Sequence, residues 1–303
     1  MLRSTLLKLS ESPGFAHWVT SNGATRHLAR RFVAGETLDE AIAAARRCNE
    51  LGMLASLDYL GENVSTTTDA QRARDAYLEI FERIAKEKLI ANVSCKLSQL
   101  GLDLSSELCE GLLLSVVERA AAYDNFLRVD MEGSIYTQRT VELVKRVRSR
   151  SPAVGTVIQA YLYRSEVDIQ DLLAYGCRIR LCKGAYKESA EVAFERKKEV
   201  DGNFVRLMQK LLPSGFYHAI ATHDPHMLGA TIRWAAAKGI SKDDFEFQML
   251  YGVRMDLQRR LVKGGYRMRV YIPYGRDWFP YFMRRLAERP ANLGFLLRNY
   301  FRK

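Results

Sequence analysis

Eight short apolar segments alternate with amphipathic helical patterns along this chain, and no other feature of the sequence constrains the fold as strongly. A short apolar segment followed by a helical pattern is typical of a strand that a helix connects to the next parallel strand. Helices are predicted in the intervals, the longest from about Glu188 to Leu212. We predict strands at Met53–Leu60, Ala91–Leu97, Phe126–Met131, Val154–Ala160, Cys177–Cys182, Phe216–Ala221, Phe245–Met249 and Arg267–Ile272.

This alternation is compatible with a (β/α)8 barrel and with an open doubly wound sheet. The open sheet usually carries a glycine-rich fingerprint after an early strand, and no G-x-G-x-x-G occurs here. We therefore predict an α/β fold of the (β/α)8 TIM-barrel type. Before the first strand, a capping box at Thr37 to Glu40 and apolar positions at helical spacing predict helices. We expect an N-terminal helical arm over residues 1–50 and a barrel over residues 51–303.

The composition argues against a membrane-spanning protein, a secreted protein and a structural metal site. Apolar residues make up 48% of the chain, no apolar run is long enough for a membrane span, and no secretory signal is recognisable. Five scattered cysteines without a C-x-x-C fit a reducing cytosol and give no metal site. The net charge of +11 is concentrated from Arg254 to Lys303, which suits nucleic acid, an anionic membrane, or an anionic cofactor or substrate. No nucleic-acid-binding motif accompanies it.

A polar residue stands at the carboxyl end of each predicted strand, where barrel enzymes place their chemistry. We expect these side chains to surround one site at one end of the barrel. In strand order they are Glu62, Lys96, Asp130 with Met131 and Glu132, Gln159, Arg180 with Lys183, Gly184, Ala185 and Tyr186, Thr222 with His223 and Asp224, Gln248, and Tyr271.

Several segments resemble the proline dehydrogenase family, which includes the catalytic domain of proline utilisation A. The segment R-V-Y-I-P-Y-G begins at Arg269, and Y-F-M-R-R-L-A-E begins at Tyr281. The segment R-L-C-K-G-A-Y begins at Arg180, and similar segments surround the other strand ends. The resemblance extends from about Gly61 to Asn292. It implies an enzyme that binds FAD non-covalently and oxidises L-proline to Δ1-pyrroline-5-carboxylate.

The resemblance also implies cofactor contacts. Arg180 would donate near flavin N5, where the hydride arrives, and Gln159 would bind the pyrimidine edge. The pyrophosphate would lie near Lys183 to Ala185 and near Thr222 and His223. Glu288 would hold a ribose hydroxyl. The cofactor-binding residues are expected to be Asp130, Met131, Gln159, Arg180, Lys183, Gly184, Ala185, Tyr186, Thr222, His223, Gln248 and Glu288, with Asp130 and Arg180 as catalytic residues.

The same resemblance assigns the substrate-binding residues. The arginines would bind the proline carboxylate with Lys96, which we expect to pair with Asp130, while tyrosines would contact the ring. Glu62 would close over the bound substrate by pairing with Arg284. For Arg284 to reach the mouth, the eighth helix must cover the strand ends instead of lying beside the barrel. The substrate-binding residues are expected to be Glu62, Lys96, Tyr271, Tyr281, Arg284 and Arg285.

Three other readings are compatible with parts of the sequence. A Schiff-base lyase would use Lys96 or Lys183 as its reactive amine. A metal hydrolase would use His223 and His226, although Pro225 is expected to begin a helix between them and no clear third ligand follows. A nucleic-acid-binding module would use the basic C-terminal region. The apolar and basic residues 295–303 also fit a peripheral contact with a membrane that holds the family's quinone acceptor.

Overall fold

The eight predicted strands form a closed parallel barrel. The computed structural model describes residues 13–287, and within this range each strand pairs with the next one along the chain. The last strand pairs in parallel with the first. The strands are β1 (Leu54–Tyr59), β2 (Ala91–Cys95), β3 (Leu127–Val129), β4 (Val154–Gln159), β5 (Arg178–Cys182), β6 (His218–Ala221), β7 (Phe245–Leu250) and β8 (Arg267–Tyr274).

Helices precede the barrel and connect its strands. Thr37 and Glu40 form the expected capping box at the start of α3. The three helices before β1 are α1 (Pro13–Ser21), α2 (Gly23–Ala29) and α3 (Leu38–Glu50). The remaining helices are α4 (Thr67–Lys86), α5 (Ser106–Ala122), α6 (Ser134–Arg148), α7 (Ser165–Ala174), α8 (Lys197–Leu211), α9 (Pro225–Ala237), α10 (Met255–Lys263) and α11 (Trp278–Ala287).

Several predicted boundaries are corrected. The third strand spans only Leu127–Val129 instead of Phe126–Met131. The helix expected from about Glu188 begins only at Lys197. The backbone N–H of Ser134, at the start of α6, donates to the Glu188 carboxylate at 2.8 Å, and this contact holds the residue in the loop before α8. The last strand continues past Ile272 to Tyr274, because β1 and β8 remain paired up to Tyr59 and Tyr274.

Side chains alternate along the strands between two environments. Residues that face the surrounding helices are apolar and fully buried, as Leu57 and Val93 show. The neighbouring positions face the barrel interior and include Ser56 and Ser94, whose hydroxyls lie 3.2 Å apart. This is the period-2 alternation of a strand. The helices therefore pack on an apolar outer wall, and polar groups occupy the interior.

The last helix lies over the carboxyl ends of the strands, as the sequence predicted. Its residues Phe279 and Phe282 belong to a buried cluster with the N-terminal residues Phe15 and Phe32. Ring centroids are 6.3 Å apart for Phe15 and Phe279, and 6.4 Å apart for Phe32 and Phe282. The cluster also contains Leu60, which directly follows β1. The N-terminal helices thus hold α11 above the mouth of the barrel.

The described part of the chain, residues 13–287, contains no helix that is both long and apolar enough to cross a membrane. All five cysteines lie within that range and are free thiols.

His218 is a fully buried histidine at the start of β6. Its Nδ1 accepts a hydrogen bond from the backbone N–H of Ile179 at 3.0 Å. Its Nε2 lies 2.8 Å from the hydroxyl of Ser214. Because Nδ1 accepts, the ring is neutral and carries its proton on Nε2. The imidazole therefore joins the beginnings of β5 and β6 only while it is uncharged.

We expect protonation of His218 to destabilise the fold in mild acid. Burial and the nearby charge of Arg128 lower the pKa of His218 from 6.5 to about 3. Between these pH values the unfolded chain binds a proton that the folded protein does not. The free energy of unfolding should therefore fall by about 1.4 kcal/mol per pH unit as the pH drops below 6.5.

Denaturant unfolding at pH 7.5, 6 and 5 measures this effect. The variant His218→Asn should be less stable at pH 7.5 but should lose less stability on acidification. His226→Asn, which changes an exposed histidine on α9, is the control. If wild type and His218→Asn lose stability equally, the assignment to His218 is wrong.

Candidate active site

A cavity of about 640 Å³ opens at the carboxyl ends of the strands, below α11. The predicted residues that line it are Lys96, Asp130, Met131, Gln159, Arg180, Lys183, Gly184, Ala185, Tyr186, Thr222, His223, Gln248, Tyr271, Tyr281, Arg284 and Arg285. Glu62 contacts the cavity wall through Arg284. Glu288 lies outside the described residues. Asp224, which the sequence placed at the end of the sixth strand, also lines the cavity, as do Cys182 and Lys197, which the sequence did not indicate.

Asp130 lines the cavity and holds two other lining residues. Its Oδ1 accepts a hydrogen bond from Arg180 at 2.7 Å, and its Oδ2 accepts one from the Tyr271 hydroxyl at 2.7 Å. Arg180 also donates to the Ser94 hydroxyl at 3.0 Å and lies over the Tyr271 ring at 5.3 Å. One carboxylate therefore fixes a guanidinium and a phenol side by side. Charge-assisted bonds of this kind hold both partners in a defined orientation.

The expected partner of Lys96 is wrong. Its ammonium pairs with Asp58, at 3.0 Å to Oδ1 and 3.2 Å to Oδ2, and not with Asp130. Burial alone would lower the pKa of Lys96, but the carboxylates of Asp58 and Asp130 outweigh it and raise the pKa. A Schiff-base lyase needs the neutral amine, so this environment opposes that role. Aspartate is uncommon inside strands, and the position of Asp58 within an apolar segment was the available signal.

The predicted contact between the loop after β1 and the last helix is present beside the cavity. Arg284 on α11 donates to Glu62 at 2.7 Å. Its guanidinium lies 5.9 Å from the centre of the Tyr186 ring. Burial would lower the pKa of Arg284, but the Glu62 carboxylate outweighs this and raises it. Three separate segments of the chain thus meet above the cavity.

Lys183 lies in a cluster of two lysines and two aspartates at one side of the cavity. It donates to Asp224 at 2.7 Å and also pairs with Asp201. Lys197 contacts the same two aspartates. Burial would raise the pKa of Asp224, but hydrogen bonds from Lys183 and the backbone of His226 lower it to about 2. The cluster joins the loops after β5 and β6 to α8.

Hydrogen bonds between neighbouring strand ends fix two further lining residues. The Gln159 amide donates to the backbone carbonyl of Glu132 at 2.9 Å and accepts from the backbone N–H of Ala185 at 3.1 Å. Nε2 of His223 accepts from the backbone N–H of Leu250 at 2.9 Å. Gln159 and His223 therefore have defined orientations toward the cavity.

The fold and the cavity define a (β/α)8-barrel enzyme whose site lies at the carboxyl ends of the strands and is lined by several cations. A family model described as Proline dehydrogenase matches residues 41–298. The chain belongs to the proline dehydrogenase family and is an enzyme of that family.

Individual relatives agree with this assignment. Proline dehydrogenase 1 of Bacillus subtilis (strain 168) is 43% identical over 303 residues, covering 100% of both chains. Proline dehydrogenase of Deinococcus radiodurans is 41% identical over 277 residues, covering 89% of each chain. Proline utilization A from Bdellovibrio bacteriovorus, solved after inactivation by N-propargylglycine, matches with a TM-score of 0.83 and 28% identity. That match covers 90% of this chain but only 34% of the larger protein.

Loss of the Arg284 side chain should weaken the binding of small carboxylates. We expect Arg284→Ala to reduce affinity by about 2–4 kcal/mol, because a partly desolvated carboxylate loses a charged donor. Arg284→Lys should recover little, since a point charge does not replace the planar guanidinium. Calorimetric titration measures the affinities. Arg146→Ala, which changes a half-exposed arginine paired with Glu110 on the outer surface, is the control. Normal binding by Arg284→Ala would exclude this arginine from the ligand site.

Proposed function

We propose that this protein oxidises L-proline to Δ1-pyrroline-5-carboxylate, the first step of proline catabolism, with FAD bound in the cavity. The observation that carries the proposal is that a single cavity is lined by three cations and by a carboxylate that holds an arginine and a phenol. The cations are Lys96, Arg284 and Arg285. Asp130 accepts hydrogen bonds from Arg180 and from the Tyr271 hydroxyl. In this proposal the cations bind the carboxylate of proline and Tyr271 contacts its ring.

The chemistry of the reaction explains why cations can bind the carboxylate of proline without contacting the carbon that reacts. Oxidation removes a hydride from the ring carbon on the side of the nitrogen opposite the carboxylate, and a proton from the nitrogen. Cations that hold the carboxylate therefore orient the reacting carbon without touching it. Arg284 and Arg285 supply planar guanidinium groups, which match a carboxylate better than a point charge does. Tyr271 and Tyr281 contact the ring in this proposal.

The residues of the cavity fit a flavin. The Nε of Arg180 is buried and has no hydrogen-bond partner among residues 13–287. The Gln159 amide uses one N–H for Glu132 and retains a second. Bound FAD would supply the hydride acceptor at N5, and a nearby cation such as Arg180 stabilises the negative charge of a reduced flavin.

The other cofactor contacts follow from the cavity lining. Gly184 has a φ of +127°, and an added Cβ would lie 2.4 Å from the Tyr161 ring, so only glycine fits this close backbone approach. We assign Lys183, Gly184 and Ala185, with Thr222 and His223, to the pyrophosphate. Further assigned contacts are Asp130, Met131, Tyr186 and Gln248, together with Glu288 from the resemblance alone.

We propose that the electrons pass to a quinone or a similar acceptor. Residues 295–303, whose sequence motivates a peripheral membrane contact, lie outside the described residues. The boundary at residue 50 between the arm and the barrel also remains a proposal.

An absorption spectrum tests the function. The purified protein should show a flavin spectrum, and anaerobic L-proline should bleach it and yield a product lighter by two hydrogens. D-proline is the matched control ligand, because it presents the same groups with inverted geometry. N-propargylglycine should inactivate the protein, and L-proline should protect it. A flavin that L-proline does not bleach would contradict the proposed substrate, and absence of flavin would contradict the cofactor.

Substrate choice should depend on Tyr271. The ring leaves no room for a 4-hydroxyl group on proline, so Tyr271→Ser should lose activity on proline and gain relative activity on 4-hydroxyproline. Changes of this kind are worth about 10- to 200-fold in kcat/KM. Because the Tyr271 hydroxyl also bonds Asp130, Tyr271→Phe is the matched control: it removes that bond but keeps the ring.

The two variants distinguish a direct role of the Tyr271 ring in substrate choice from a role in packing the barrel. Tyr271→Phe should retain the preference for proline, and only Tyr271→Ser should shift it. Melting temperatures measured beside kcat/KM for both substrates identify a general loss of stability. A less stable Tyr271→Ser protein with an unchanged substrate ratio would mean that the ring only packs the barrel.

A further inference from the structure

Asp58 is a charged residue in the middle of β1, and its side chain is completely buried. It is paired in register with Ser94 on β2, and Lys96 follows the end of that strand, two positions beyond Ser94 along the chain. The barrel therefore brings Asp58 next to Lys96. Lys96 lines the cavity, whereas Asp58 lies behind it and is not part of the cavity lining. A buried carboxylate is costly unless it is paired, so this placement needs a reason.

The geometry of the pair leaves one donor for a ligand. An ammonium group has three N–H bonds. Two are directed to the two oxygens of Asp58, at 3.0 and 3.2 Å. The third remains available on the cavity side, since no other hydrogen bond of Lys96 is found among residues 13–287. The carboxylate thus fixes the direction in which Lys96 presents its remaining N–H.

We propose that Asp58 is a positioning residue that keeps Lys96 charged and directs its free N–H toward the substrate carboxylate. The inference rests on the proposed function, because it takes the ligand to be a small carboxylate. Asp58 itself touches neither substrate nor cofactor. Its contribution is a donor already oriented before the ligand arrives, so that binding requires no rearrangement of Lys96.

The other charges around Lys96 do not replace Asp58. Asp130 is occupied by Arg180 and Tyr271, and Glu62 by Arg284. Burial raises the pKa of Tyr186, so it stays uncharged over the range tested below. Within residues 13–287, the titratable groups that act on Lys96 are Asp58, Asp130, Glu62, Glu132 and Tyr186. Of these five groups, only Asp58 bonds directly to the ammonium.

The pH dependence of carboxylate binding tests the proposal. The probe is tetrahydrofuran-2-carboxylate, which keeps the ring and the carboxylate but replaces the ring N–H by oxygen. No group of this ligand titrates above about pH 5. Its Kd is measured calorimetrically on the flavin-loaded protein from pH 7 to pH 9.5. Wild type should bind it equally well throughout this range, because Lys96 stays charged.

The variant Asp58→Asn should behave differently. Asparagine is nearly isosteric but uncharged, so burial should lower the pKa of Lys96 into the measured range. The ammonium then loses its proton as the pH rises, and affinity should be about 10- to 100-fold lower at pH 9.5 than at pH 7. Adding Lys96→Met should abolish this new pH dependence. Asp39→Asn, which removes an exposed aspartate paired with Arg83, is the matched control.

Each outcome decides the question. An Asp58→Asn protein with equal affinity at all pH values, or with weaker affinity that does not depend on pH, overturns the proposal. If Asp58→Asn does not fold, recovery of folding in Asp58→Asn/Lys96→Met supports charge compensation. Failure of that double variant, with Lys96→Met alone folded, overturns it. A wild type that neither binds the probe nor oxidises L-proline would instead refute the proposed function.

Discussion

The packing of α11 against the N-terminal helices determines where the mouth of the barrel receives its arginines. Phe279 and Phe282 are buried against Phe15 and Phe32, and each buried side chain of this size contributes about 1.5–3 kcal/mol. Backbone bonds from Ala34 to Pro273 and from Gly275 to Gly35 join the same regions. If α11 lay beside the barrel like the other helices, Arg284 would be carried away from the strand ends. The arm is therefore part of the site's architecture.

The polar interior of the barrel differs from the branched apolar residues that usually fill such barrels. In its lower part, Glu246 pairs with Arg269 at 2.7 Å and also accepts from the Tyr217 hydroxyl at 2.9 Å. Arg128 donates to two backbone carbonyls, and burial lowers its pKa to about 9. None of these residues lines the cavity. Lys96 and Arg180 do line it, so we expect ligand chemistry at that end of the barrel.

The sequence predicted the architecture well because period and burial are local properties. All eight strands, the capping box at Thr37 and the position of the last helix could be read from it. The pairing of side chains could not, because it depends on the stagger between strands. Asp130 and Lys96 are on neighbouring strands, yet the stagger places Asp58 against Lys96 and Arg180 against Asp130.

Other contacts could not be predicted because they join residues that are far apart along the chain. The lysine and aspartate cluster at the side of the cavity needs Asp201, which lies on α8 and gives no signal beside Lys183 in the sequence. The late start of α8 depends on a bond from Glu188 to the backbone of Ser134, more than fifty residues away along the chain. Local patterns can indicate that a residue is charged and near a strand end. They do not show which partner it meets.

The pairing of three cavity-lining cations with acids explains how the site can select for shape as well as charge. Lys96 is held by Asp58, Arg180 by Asp130 and Arg284 by Glu62. A cluster of uncompensated cations would attract any anion, including phosphate, and would repel itself when empty. When a cation is paired with an acid, its attraction for a ligand anion depends less on net charge. It depends more on the direction of the N–H groups. Under the proposed function, a ligand carboxylate must match the geometry of the donors, and its ring must fit the space beside Tyr271. We expect selectivity for a small cyclic amino acid from these two requirements acting together.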